Sequence, residues 1–109
     1  MLMIAGSITI ATASTALALS THGSIDARSK VLSLVARNSV TNAAGSGNAS
    51  MGISTMAAAS PTVGWFMLPG EATPPINFRD MGGSVEARDI YFDHDTSDRE
   101  IDFIAVIEG

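Results

Sequence analysis

The residues best equipped for chemistry lie in one run, Asp93-His94-Asp95-Thr96-Ser97-Asp98. Carboxylates, a hydroxyl and an imidazole at this density are what a divalent cation needs. Asp93, Asp95 and Ser97 match the first three ligand positions of a calcium loop. Position six is Asp98, where the sharp turn needs Gly, and position twelve is Ile104, where a bidentate Glu is required. An EF-hand is excluded, and the run reads as a solvated hairpin tip, with a looser cation site as the sharper alternative. His22 is far away in sequence. No G-x-S-x-G context accompanies the many serines. Gly45-Ser46-Gly47-Asn48 lacks the spacing and the Lys of a phosphate loop. Asn48-Ala49-Ser50 is a formal glycosylation sequon in a stretch where one arises by chance. With no cysteine, disulfides, thiolate metal sites and cysteine nucleophiles are excluded. No enzyme, cofactor or metal site is expected.

The elements that carry these residues read as strands. A chain of 109 residues with 46% hydrophobic residues is long enough for one core and too short for two enzymatic domains. Val31–Ala36 places Leu32, Leu34 and Ala36 on one face and Val31 and Val35 on the other. Gly64–Leu68 is a compact apolar run, Asp89–Phe92 a short one. Ile101–Ile107 is apolar at every odd position, and Ile104 and Val106 on its second face predict burial on both faces toward its end. Leu68-Pro69-Gly70-Glu71 suits a type II turn, Pro74-Pro75 belongs to a loop or sheet edge, and Asp95–Asp98 reads as a hairpin loop. Helical composition is confined to Ala57–Ser60. The pattern predicts an all-β sandwich or barrel of about six to eight strands. Its expected core is Leu32, Leu34, Trp65, Phe103, Ala105 and Ile107. Trp65 beside Phe66 is read as core; exposed, the same pair would suit a sugar ring or a partner.

Two segments stand apart by composition. The first twenty residues carry no charge, and Ser7–Thr12 alternates with Ile8 and Ile10 on one face. A signal peptide would need a basic start, a membrane helix an unbroken apolar run; an ordered strand or arm fits better. Residues 42–60 are a long loop of small residues, expected to be flexible, with Met51 and Met56 as adaptable apolar contacts. The organisation expected is an N-terminal strand or arm over 1–27 and one β domain over 28–109. Assembly contacts are placed at Met1, Leu2, Ile4, Ile8, Ile10, Met51, Ile53 and Met56. Net charge is −5, divided as +2 over residues 1–64 and −7 over 65–109. The balance disfavours nucleic acid. The asymmetry suits either a solvated acidic end or head-to-tail packing of copies.

The order of pieces carries a resemblance. An early strand (Lys30–Arg37) precedes a Gly/Asn/Ser-rich segment (Asn42–Gly52). Then come an apolar run ending in Leu68-Pro69-Gly70-Glu71, a short strand (Asp89–Phe92) and a closing apolar strand (Ile101–Glu108). Over residues 28–109 this resembles the small β-sandwich virion proteins of tailed bacteriophages. It departs from them in a Met/Ala-rich insertion at 53–63 and a longer connection at 74–88. The resemblance implies a non-enzymatic virion protein, a capsid decoration (cement) protein above all. Its partners would be the major capsid protein or other virion proteins and copies of itself, with no nucleic acid and no membrane. A tail, baseplate or fibre-attachment component is the neighbouring alternative. A carbohydrate- or receptor-binding β module using Trp65 or Tyr91, and a secreted bacterial β domain, are alternatives of other classes.

Overall fold

The computed structural model describes residues 2–39, 47–52, 65–78 and 85–108. Within them the chain is all-β, built of two antiparallel sheets packed as a sandwich. The first sheet has the order β1 (Leu2–Ile10), β9 (Arg99–Ile107), β3 (Lys30–Asn38), β6 (Ile76–Asn77), with β7 (Val85–Glu86) also pairing β3. The second has the order β2 (Leu17–Ala18), β8 (Tyr91–His94), β4 (Ala49–Gly52), β5 (Trp65–Met67). Six of these strands have three residues or more; β2, β6 and β7 are two-residue pieces. The chain changes sheet at six of the eight connections between the described strands. Even Asp95–Asp98, expected as a hairpin tip, carries β8 of one sheet into β9 of the other. Asp98 makes that turn with a positive φ of 57°, and its N–H bonds to the Ile10 carbonyl.

The core lies between the facing surfaces, and alternation explains most of it. On β9, Ile101, Phe103, Ala105 and Ile107 are buried, as their odd spacing predicts. Phe103 stacks against Phe92 of the opposite sheet at 6.4 Å, and the edge of His22 meets Phe103 at 5.3 Å. Gly6 leaves the space that His22 occupies: a Cβ there would collide with the imidazole. Such aromatic contacts add to the large area each ring removes from water.

Three expectations fail for physical reasons. The second face of β9 is not covered, and Ile104 is 46% exposed. β3 carries a bulge: Val31 pairs with Ile107 and Ser33 with Val106, leaving Leu32 as the extra residue. The bulge turns Val31 inward with Leu34 and Ala36, while Leu32 is only half-buried. Trp65 is 47% exposed, on the strand that among the described residues ends its sheet.

Of the strand or arm expected at the N-terminus, the strand is what forms: residues 2–10 are β1 and do not extend as an arm. β1 pairs with β9 along its whole length, from Leu2↔Ile107 to Ile10↔Arg99, and Ile8, Ile10, Leu19 and Ile25 belong to the common core. No boundary separates residues 2–27 from the rest of the sandwich. Likewise, 49–52 of the supposed loop is β4, an inner strand of its sheet; the helical tetrapeptide Ala57–Ser60 lies outside the described residues. The Pro-Gly turn matches its prediction: Gly70 has φ 77° and the Glu71 N–H bonds the Leu68 carbonyl at 2.9 Å.

The bulge makes a sharp prediction. Deleting Leu32 preserves the inward phase on both sides of the cut, so the variant should fold with a loss of about 1–3 kcal/mol in urea melts. Deleting Val35 puts one half of β3 out of phase with the core and should abolish cooperative unfolding.

Candidate functional site

The side chains of the ligand-rich run are not gathered on one face. β8 points alternate residues to opposite faces, so Asp93 and His94 diverge. His94 is fully buried at the inner face. Its Nδ1 accepts the Thr96 N–H at 3.1 Å, which leaves Nε2 to donate to Asn38 Oδ1 at 3.3 Å. Asn38, itself buried on β3, donates its amide to the Gly47 carbonyl at 3.1 Å and the Met67 carbonyl at 3.3 Å. Asp95 Oδ1 accepts from the Asn48 N–H and the Thr96 hydroxyl, both at 3.0 Å. These bonds tie β3, β4, β5 and β8 together at one end of the sandwich. Among the described residues, no three His, Asp or Glu side chains are grouped to hold a metal ion.

The network fixes a neutral imidazole. Burial lowers the His94 pKa, against the attraction of Asp95 and with the help of Arg99. Protonation would also cost the Thr96 N–H its acceptor. Because the folded state holds the proton less tightly than the unfolded chain, stability is full above about pH 6.5 and falls as pH drops below it. Gly47 is equally constrained: its φ is 95°, and a Cβ would run into the Asp95 carboxylate and within 2.6 Å of Thr96 Oγ1.

The remaining candidate surface is the outer face and free edge of the larger sheet. Register aligns three rows across it: Met3–Val106–Ser33, Ala5–Ile104–Val35 and Ser7–Asp102–Arg37. The first two rows are mainly apolar, with Met3 69% exposed. The third is polar and bonded: the Ser7 hydroxyl donates to Asp102 Oδ1 at 2.7 Å and Arg37 Nη2 to Oδ2 at 2.9 Å. Burial pushes the Asp102 carboxyl up, but hydrogen bonds from Ser7, Arg37 and Ser39 and the charge of Arg37 outweigh it and hold the pKa low. Val35, Arg37, Ala72, Asp102 and Ile104 line an open groove of about 240 Å³ on this face.

The proposed contact residues divide sharply. Leu2 is 51% exposed at the end of β1 and is available to a partner, and Ile4 is half-buried beside the core. Ile8, Ile10 and Met51 are buried within the chain's own core and offer a partner nothing. The face that Ile8 and Ile10 share by alternation is the inward face of β1. Met1, Ile53 and Met56 lie outside the described residues. Met3, Ala5 and Ile104 are exposed on this face and lie outside the expected set. Pairing β1 with the second face of β9 would have found them, but only the register reveals that pairing.

Two measurements test the polar end. The thermal midpoint of the protein should fall between pH 6.5 and 5, and His94→Gln should flatten that part of the profile while costing about 1–3 kcal/mol at neutral pH. Gly47→Ala should lose at least about 1 kcal/mol by denaturant titration. Among the described residues no helix is long and apolar enough to cross a membrane. Compared with known proteins, the chain matches no family model, no curated protein and no solved structure.

Proposed function

We propose that this chain is a non-enzymatic structural subunit of a bacteriophage virion, of the capsid decoration type, binding the shell and neighbouring copies. The observation that carries the reading is the surface of the larger sheet. It combines an uncharged nine-residue edge strand with adjoining exposed apolar residues, Met3 and Ile104. Such a surface suits association better than turnover. The order of sequence pieces, from Lys30–Arg37 to Ile101–Glu108, supplies the virion context by resemblance. The polar cluster around His94 supports the same reading, since its groups are spent on one another rather than presented to a substrate. The contact surface moves from the buried Ile8, Ile10 and Met51 to Leu2, Met3, Ala5 and Ile104.

A second reading follows from Trp65, whose half-exposed indole on an edge strand can stack on a sugar ring. In that case Trp65→Ala abolishes binding on a glycan array while the fold persists.

Quantitative mass spectrometry of purified phage particles decides the main reading. A copy number equal to that of the major shell protein is the expected result. A few copies per particle would move the protein to the tail, baseplate or fibre junction. Absence from every particle would overturn the virion assignment.

A further inference from the structure

Among the described residues the larger sheet ends in β1, which pairs with β9 and has no strand paired on its far side. The one other backbone bond to the strand is the Asp98 N–H on the Ile10 carbonyl. An antiparallel strand bonded on one side leaves about half of its N–H and C=O groups facing outward. At about 3.4 Å per residue the edge is about 30 Å long.

The other sheet edges show how this chain treats edges elsewhere. β6 and β7, beside β3, are two-residue pieces, and β6 follows Pro74-Pro75. β2 is also two residues long; β5 is three and runs into Pro69. Short strands and prolines are the usual protections against stray pairing. β1 has none of them: nine residues, no proline, no charge, and an unbroken register with β9. What fits a row of free amides and carbonyls is another extended strand.

We infer that this strand is a second copy of β1, joined antiparallel about a twofold axis so that the two larger sheets become one. The inference rests on the assembly reading above for its biological purpose and gives that reading a partner and a geometry. The sequence is self-complementary in one full-length register, centred on Gly6. It sets Leu2 against Ile10 and Ile4 against Ile8 on the inward face, Met3 against Thr9 and Ala5 against Ser7 on the outward face. Every residue from 2 to 10 then has a partner, and no charged side chains are opposed across the joint. A register shifted either way leaves strand ends unpaired. An isologous contact of this kind closes at two copies and leaves no further β1 edge open.

The joint is distinct from head-to-tail packing of basic and acidic halves. Each copy carries a net charge of −5, so added salt screens repulsion and strengthens the edge dimer, whereas it weakens a charge-steered contact.

Sedimentation equilibrium of the full chain tests this, from about 1 µM to about 1 mM. The expected mass rises from 11.2 kDa toward that of a dimer, more readily at high salt. Ala5→Lys puts two ammonium groups beside the twofold axis from an exposed position, and should weaken association at least about tenfold. Far-UV circular dichroism and the thermal midpoint at low concentration should match the parent, and Thr9→Lys should act in the same direction. Hydrogen exchange should show concentration-dependent protection of β1 amides. A monomer throughout, a dimer indifferent to both lysines, or one lost instead on Ile104→Ser would overturn the edge pairing. A monomer still found in particles leaves the virion reading standing; a lysine-sensitive dimer absent from particles does the opposite.

Discussion

Phe103 and its strand bear the structure. β9 is bonded on both sides, to β1 and to β3, and its inward residues meet the second sheet where Phe103 lies on Phe92. The first sheet owes its register to this strand, and the sandwich owes much of its closure to these rings. A ring of this size buries on the order of 150–250 Å², so the spacing of the sheets is set here. Gly6 and His22 follow from it, because a histidine can lie against Phe103 only where the neighbouring strand has no side chain.

Two residues along from these rings, the sandwich is held by a different kind of force. Asn38 and His94 bring polar groups out of water, which is costly unless each is bonded. Here the imidazole has partners at both nitrogens, and the Asn38 amide reaches two backbone carbonyls. Apolar burial fixes how far apart the sheets lie. Hydrogen bonds of fixed direction fix how one slides along the other. The residues that looked most like reactive machinery serve this alignment.

Strand identity was legible because alternation is a local property. β3, β5, β9 and the Pro-Gly turn fall where their residue patterns place them, while β8 runs two residues later, over Tyr91–His94 instead of Asp89–Phe92. What escaped was relational. The bulge at Leu32 arises from a mismatch between β3 and two partners, and a single strand cannot reveal it. Trp65 looked like core because its run is apolar, but it is exposed on the strand that among the described residues ends its sheet. The Asp95–Asp98 turn looked like a hairpin because its neighbours are both strands, and their assignment to different sheets is a tertiary fact. β1 was readable as a strand, but which of its two faces is inward depends on its pairing with β9.

The ladder between Leu2 and Ile107 joins the first described strand to the last. Loop closure over nearly the whole chain must precede it, so folding is governed by distant contacts and slows accordingly. During synthesis β1 emerges long before β9 exists to receive it. For that interval an uncharged, β-prone ribbon is exposed on both edges among other nascent chains. The same absence of charge that opens one edge in the finished sandwich therefore makes this segment a point of vulnerability on the ribosome, where timing and chaperones decide its fate.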